Sequence, residues 1–294
     1  MLTLLYAAYR QIPFGDDAYV PEAERVARLA LLAADEFRQA RGAVPAVVDA
    51  ESYLCSTVLN VSSMDTLYSN PVLTREIGRH TGLKPPSGVL AYECASWAYI
   101  LRRLQSAMKA TRILIFVADM DAKGFSFWGT NRIWGHSGFG LSTLVFDYVP
   151  DGQPCVWTSA SDARSPVLDF ARGVKALAGG FAGDRISLPY FPPLQYQSIE
   201  RICTGLALAP NLHAGYGHCF GSDPWIGLLT ACRADPAQRA RHWICASFAL
   251  SGYYGLARLR IHPDAQLHLE HTSAAPPQDT PVPVPVPVSE STIA

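Results

Sequence analysis

Residues 88–110, GVLAYECASWAYILRRLQSAMKA, decide the fold because a short apolar strand is followed at once by an amphipathic helix. Residues 88–92 are small or apolar, which is typical of a buried strand. From Trp97 onward the apolar side chains recur at helical spacing, at Trp97, Ile100, Leu101, Leu104 and Met108. Cys94 lies at the join, where backbone N–H groups and the helix dipole favour a thiolate. A buried structural thiol is the competing interpretation.

The bulk composition predicts a chain with a large core. Of the 294 residues, 49% are hydrophobic and 17% are charged, which allows one domain or two closely packed halves. The net charge of −1 and the scattered Lys and Arg residues favour neither a nucleic-acid nor an anionic-membrane partner. The first residues lack a basic n-region, and no apolar run reaches membrane-spanning length, so we expect a cytoplasmic protein.

The seven cysteines indicate reduced, mostly buried thiols. Their number is odd, their spacing is wide, and no C-x-x-C pair occurs, so neither a disulfide framework nor a zinc site is predicted. We expect no metal and no permanently bound cofactor. The positions are Cys55, Cys94, Cys155, Cys203, Cys219, Cys232 and Cys245.

Strands and helices alternate along most of the chain, which predicts a mixed α/β fold with buried sheets. Their similar order in both halves predicts an internal duplication, with an N-terminal half over 1–150 and a shorter C-terminal half over 151–263. After an N-terminal strand, we expect further strands at 53–59, 88–92, 112–119, 141–148, 242–250 and 253–261. We expect helices at 21–42, 70–78, 97–108, 166–178, 195–205 and 224–233.

Residues 264–294 are predicted to be a disordered or extended tail. Alternating Pro and Val cannot form a helix or an interior strand and favours polyproline II. A proline-binding partner is the alternative to a solvated spacer. We therefore expect truncation after His262 to leave the melting temperature unchanged.

Four motifs together resemble the ketoacyl-ACP synthase III family of the thiolase fold. Residues 94–97 (CASW) match the nucleophilic cysteine that opens a buried helix, and residues 135–140 (GHSGFG) loosely match a glycine-rich turn before a strand. The loop that carries the family's catalytic asparagine falls on His218, and a closing turn falls on residues 250–252. The resemblance covers roughly residues 1–262. It implies a five-layer αβαβα fold and a dimer, either a homodimer or a heterodimer with a related synthase.

The sequence departs from the family pattern at the catalytic pair. The segment where the family has its histidine, residues 188–197, contains none, and His218 stands at the asparagine position. The coenzyme A entrance is shortened to residues 14–21, and the region 149–190 is short on the acyl-binding side. The nucleophile is thus retained while the His/Asn pair and the coenzyme A entrance are not.

The resemblance implies Cys94 as the nucleophile and the backbone N–H groups of Cys94 and Ser251 as the oxyanion hole. His218 is the leading acid or base because it lies in a glycine-rich loop directly before a helix. His213, five residues earlier, is the alternative. Asp223 either orients a histidine or caps the following helix.

Two hypotheses follow. Decarboxylative condensation needs two groups on the enolate, whereas one Cys–His dyad suffices for acyl transfer or thioester hydrolysis. The first hypothesis is therefore a synthase III-like acyltransferase or condensing enzyme of a specialised fatty-acid or polyketide-type pathway. It would use an acyl-CoA or acyl-carrier-protein thioester. The second is a catalytically inactive thiolase-fold subunit that pairs with an active synthase.

Overall fold

One large sheet, folded around buried helices, positions every residue of the candidate site. The computed structural model describes residues 1–12, 21–59, 69–121, 126–131, 133–161 and 164–270. Most of the shortened coenzyme A segment and residues 271–294 of the predicted tail lie outside these ranges. In the described ranges, the strands are β1 (Leu2–Ile12), β2 (Glu51–Cys55), β3 (Ser87–Val89), β4 (Thr111–Asp119), β5 (Thr130–Asn131), β6 (Gly135–His136), β7 (Phe139–Tyr148), β8 (Val156–Ala160), β9 (Arg185–Ser187), β10 (Ala207–Leu208), β11 (His242–Phe248) and β12 (Tyr253–Glu270).

The helices alternate with these strands, as the hydrophobic patterns predict. They are α1 (Glu22–Ala43), α2 (Ser69–Thr81), α3 (Ser96–Ser106), α4 (Ser126–Gly129), α5 (Pro166–Ala178), α6 (Pro193–Ile202), α7 (His213–Tyr216) and α8 (Asp223–Ala234). The strand predicted over 53–59 is shorter than expected and ends at Cys55.

The strand order along the main sheet is β10-β9-β11-β12-β1-β7-β4-β2-β3, and β8 pairs with β12. The parallel pair β1–β12 joins an N-terminal half of the sheet to a C-terminal half. Strand β7 runs antiparallel to both of its neighbours, β1 and β4. The seam is therefore made by the first and last strands of the described chain.

Alternating side chains along the strands show how the layers are stacked. In β4, Ile115 belongs to a central core that it shares with α3 and α8, while Leu114 and Phe116 belong to an outer core shared with α1 and α2. In β11, Trp243 faces the central core and Ile244 faces the outer helices α5 and α6. The order is helix, sheet, helix, sheet, helix, so the predicted thiolase-like αβαβα arrangement is confirmed.

The central helix α3 forms where the apolar spacing predicted it. Its buried face carries Trp97, and its exposed face carries Arg102 and Arg103. The Trp97 indole packs edge-on against Trp225 of α8, with ring centroids 4.8 Å apart, so the two central helices are in direct contact. Met108 was predicted on the buried face, but it lies beyond the last turn of α3 and is exposed.

Strand β12 is longer than the sequence predicted. It was expected to end at residue 261, but it continues to Glu270, and Gln266–Glu270 pair with Tyr6–Arg10. The tail boundary at residue 264 is therefore wrong for residues 264–270. Pro263 lies where the pairing skips from Ile261 to Gln266, so its missing N–H breaks no ladder bond.

The position of the last strand residue gives a test of the tail by two truncations. Truncation after Glu270 removes the Pro-Val sequence and should leave the melting temperature unchanged, because such repeats bury little apolar surface. Truncation after His262 removes the pairing of Gln266–Glu270 with β1 and should lower the melting temperature by about 4 °C or more. Thermal unfolding followed by circular dichroism measures both. Equal melting temperatures for the two truncated proteins would contradict the role assigned to the end of β12.

Candidate active site

Cys94 lies in a tight turn between strand β3 and helix α3. The turn is one 3₁₀ segment, Glu93–Ala95, and Cys94 is 5% exposed. Glu93 has a φ of 48°, a left-handed backbone conformation that costs a non-glycine residue of order 1–3 kcal/mol. Such strain occurs where the surrounding structure holds a residue in place for function. The nucleophile candidate therefore lies next to a strained residue, before the helix proper begins at Ser96.

In the part of the chain that the structure describes, two polar side chains lie against the Cys94 sulfur. The Nε2 atom of His218 is 4.0 Å from Cys94 Sγ, and the Thr57 hydroxyl donates a hydrogen bond of 3.3 Å to the same sulfur. The structure thus brings together the predicted Cys94 and His218, which are far apart in the chain. It adds Thr57, which lies just after β2 in a segment predicted to be strand.

The other ring nitrogen of His218 is held by a buried carboxylate. His218 Nδ1 is 2.7 Å from Asp223 Oδ2, and Asp223 is fully buried. The same carboxylate accepts hydrogen bonds from the backbone N–H groups of Tyr190, at 2.9 Å, and Cys219, at 2.6 Å. The contact between Nδ1 and Asp223 is a close approach of a charged group rather than an aligned hydrogen bond, and the other ring nitrogen, Nε2, is the one that lies 4.0 Å from Cys94 Sγ.

Glycines allow the loop before α8 to place His218. Gly217 has a φ of 73°, and a Cβ there would meet the His136 carbonyl oxygen at 2.8 Å. The His218 N–H donates to that same carbonyl at 2.9 Å, and the His218 carbonyl accepts from Gly138 at 3.0 Å. The glycine-rich turn at 135–140 and the histidine loop therefore hold each other through backbone hydrogen bonds.

Asp223 is the first residue of α8, and Ser222 is the N-cap residue. The sequence left two roles open for Asp223, contacting a histidine or capping the helix. Its side chain contacts His218. It also satisfies the Cys219 N–H group just before the helix.

Burial controls the state of the Cys94 thiol. Burial raises the pKa of Cys94 well above its ordinary value, and the Thr57 hydrogen bond opposes this rise. The carboxylates Asp119, Glu93 and Asp223 raise the Cys94 pKa further. Burial therefore opposes the thiolate that the helix start was expected to favour. A thiolate can form only if a base such as His218 takes the proton.

A second buried carboxylate holds the segment that carries Thr57. Asp119 ends strand β4, and its Oδ1 atom accepts from the Ser56 hydroxyl at 2.9 Å and from the N–H groups of Thr57 and Val58 at 2.7 and 3.0 Å. Burial raises the pKa of Asp119 to about 6, although these hydrogen bonds oppose the rise. Sequence reasoning missed Asp119. The available signal was a lone acidic residue at the end of the apolar run RILIFVA.

A pocket of about 200 Å³ leads to Cys94. Cys94 and His218 line it together with exposed residues, so it connects the thiol with the surface. Phe191 also lines it, and this residue comes from the segment 188–197 in which the resemblance predicts a histidine. The remaining described lining residues are Thr57, Glu93, Phe127, Trp128, Trp134, Phe220, Phe248 and Leu250.

Two residues proposed from sequence are not among the pocket's lining residues. His213 is buried outside the pocket, with its Nε2 atom 2.5 Å from the Trp134 carbonyl oxygen, and burial lowers its pKa. Ser251, the predicted second oxyanion residue, is exposed and does not line the pocket, whereas the preceding Leu250 does.

Cys219 is a buried thiol that accepts a hydrogen bond from the Tyr9 hydroxyl.

The described residues include no helix long and apolar enough to cross a bilayer. They also include no cluster of three or more His, Cys, Asp and Glu side chains that could hold a metal ion. All seven cysteines are buried and have free thiols.

Comparison with known structures supports the fold. The chain is similar to the acyltransferase ChlB3, with a TM-score of 0.62 at 14% identity over 90% of this chain and 98% of that one. It is also similar to the tetronic acid condensing enzyme AbyA1, with a TM-score of 0.59 at 14% identity over 88% and 100% of the two chains. Pseudomonas aeruginosa PAO1 3-oxoacyl-(acyl carrier protein) synthase III gives a TM-score of 0.57 at 10% identity over 88% and 98%.

No protein-family model and no curated protein matches the sequence. The similarity to these solved structures confirms the predicted resemblance to ketoacyl-ACP synthase III as a likeness of fold.

The raised pKa of Asp119 predicts a pH-dependent stability. Between about pH 4 and 6 the folded protein holds a proton that the unfolded chain, with an ordinary pKa of 3.8, has released. The free energy of unfolding should therefore fall as pH rises through this range, by up to about 3 kcal/mol. Asp119→Asn has no such proton. Urea unfolding of both proteins should give a stability difference, wild type minus variant, that decreases from pH 4 to 6 and then levels off. A difference that is flat or increases would contradict the assignment.

The Thr57 hydrogen bond predicts the reactivity of Cys94. Thr57→Val removes the donor that stabilises the thiolate and should slow alkylation of Cys94 by iodoacetamide at pH 8 about fivefold. Thr57→Ser keeps the hydroxyl and is the matched control. Mass spectrometry of the Cys94 peptide measures the rate. If the valine and serine variants react equally fast, the hydroxyl does not act on the sulfur.

Proposed function

We propose that this protein transfers an acyl group from a thioester donor, an acyl-CoA or an acyl carrier protein, to a second nucleophile through a Cys94 thioester. The observation that carries the proposal is the line of contacts from Cys94 Sγ to His218 Nε2, at 4.0 Å, and from His218 Nδ1 to Asp223, at 2.7 Å. A nucleophile, a base and a carboxylate that orients the base are the three parts of a covalent acyl-transfer site.

In the first half-reaction, His218 Nε2 takes the proton from the Cys94 thiol. The thiolate attacks the carbonyl carbon of the donor, and a new C–S bond forms in a tetrahedral intermediate. The bond to the donor sulfur then breaks, and His218 gives its proton to the leaving thiolate. Asp223 balances the imidazolium charge without itself becoming protonated. The products are the Cys94 thioester and the free donor thiol, and nothing is oxidised or reduced.

In the second half-reaction, an acceptor hydroxyl, amine or thiol, or water in the hydrolytic case, attacks the Cys94 thioester. His218 Nε2 removes the acceptor proton, the C–S bond breaks, and the proton returns to Cys94. The oxyanion of each intermediate would be bound by the backbone N–H of Cys94 and by one N–H of the turn at residues 250–251. Leu250 brings this turn to the pocket.

Acyl transfer fits the pocket better than decarboxylative condensation. Condensation needs two polar groups on the oxygen of the developing enolate. His218 is oriented by Asp223 toward Cys94, and Phe191 occupies the wall supplied by the segment in which a second imidazole would be expected.

Intact-protein mass spectrometry after incubation with acyl-CoA and acyl-carrier thioesters tests the proposal. Wild type should gain the mass of one acyl group, and Cys94→Ala should gain none. Cys155→Ala is the matched control, because it removes a buried thiol outside the pocket and should load normally. His218→Ala should slow transfer to the acceptor by roughly 10²–10⁴-fold.

The order of the effects separates the two hypotheses from the sequence. Loading must depend on Cys94, and transfer must need both Cys94 and His218. If no thioester acylates the wild-type protein, while a reconstituted pathway still requires it, the acyl-transfer proposal fails. The chain is then an inactive subunit.

A further inference from the structure

We infer that the pocket beside Cys94 selects a compact, uncharged acyl group with a flat aryl face, such as a benzoyl group. The inference rests on the proposed acyl transfer and names the class of substrate. Three independent features of the pocket carry it: its aromatic walls, its volume and the sign of the charges around the thiol.

Aromatic side chains form walls of the pocket on more than one side. Trp128 and Trp134 lie nearly parallel, at 22° with ring centroids 6.0 Å apart, and Phe220 meets both of them edge-on. Phe191 and Phe248, 6.3 Å apart, form another part of the lining. These contacts hold the rings against one another, so the walls present fixed faces and edges. Aromatic ligands gain from such faces and edges beyond simple area burial.

The volume limits the length of the acyl group. Pockets for drug-sized ligands span about 300–1,000 Å³, and this one has about 200 Å³. A benzoyl group fills a space of this size, whereas a long fatty-acyl chain exceeds it.

Negative charge near the sulfur disfavours a carboxylated acyl group. Glu93 lines the pocket, and Asp119 and Asp223 lie behind Cys94, close enough that each raises the pKa of the thiol. A malonyl or succinyl group would bring a further carboxylate beside these three and would lose its hydration against aromatic walls. An uncharged acyl group meets no such repulsion and loses no carboxylate hydration.

Binding can be measured separately from chemistry in Cys94→Ala, which cannot be acylated. Two of the six tryptophans line the pocket, so intrinsic fluorescence can report ligand binding. The probes are the N-acetylcysteamine thioesters of benzoate, acetate, octanoate and malonate. We expect the benzoyl thioester to bind at least about tenfold more tightly than the malonyl and octanoyl thioesters. Wild-type acylation rates from intact mass should follow the same order.

Phe191→Leu removes a ring but keeps an apolar side chain, so the variant should fold. We expect it to weaken benzoyl binding about fivefold and acetyl binding by less, so the ratio of the two affinities falls. Leu194→Ala is the matched control, because Leu194 is 78% exposed, lies three residues away and does not line the pocket.

Each result decides one of the two proposals. Malonyl or octanoyl binding as tight as benzoyl binding overturns the inference, and so does a Phe191→Leu variant that keeps the benzoyl preference. If all four probes acylate the wild type at equal rates, the acyl-transfer proposal is supported and the aryl selectivity is refuted. Selective benzoyl binding by Cys94→Ala with no acylation of wild type supports the selectivity and refutes acyl transfer. If no probe binds to Cys94→Ala and none acylates the wild type, both proposals are refuted.

Discussion

The buried carboxylate of Asp223 is the constraint on which the rest of the site depends. A fully buried charge is tolerated only when its oxygens are satisfied, and those of Asp223 meet the His218 ring and the backbone N–H groups of Tyr190 and Cys219. These contacts tie the start of α8 to the histidine loop and to the chain before α6. Because α8 packs on α3 through two tryptophans, the same helix also sets the position of the turn that carries Cys94.

The surroundings of Cys94 disfavour its thiolate, and His218 lies against the sulfur. Burial and three nearby carboxylates raise the Cys94 pKa, and the Thr57 hydroxyl opposes them. A thiol in this state resists alkylation and oxidation, since the thiolate is the reactive form. Deprotonation then depends on His218, whose Nε2 atom faces the sulfur. The aromatic pocket adds to this control because its apolar walls strengthen the charge interactions near the thiol.

Local sequence signals determined the elements and much of the site. The period of apolar residues predicts α3 and the helix Pro166–Ala178, because one face of each must be buried for the helix to be stable. The break from apolar strand to amphipathic helix places Cys94 at a turn. Glycines on both sides of His218 indicate an unusual backbone there, which Gly217 adopts. These signals are readable because each arises within a few residues of chain.

Only the tertiary structure decided which polar groups meet. Asp119 and Thr57 are distant in sequence, and they come together because β2 and β4 are neighbours in the sheet. The end of β12 was predicted too early, at residue 261, because the irregular pairing with β1 that carries the strand past Pro263 is a property of two strands from opposite ends of the chain. Likewise, the helix start predicted an activated thiol, but burial raises its pKa. Hydropathy patterns show that a residue is buried, whereas the partners that compensate a buried charge depend on packing between distant segments.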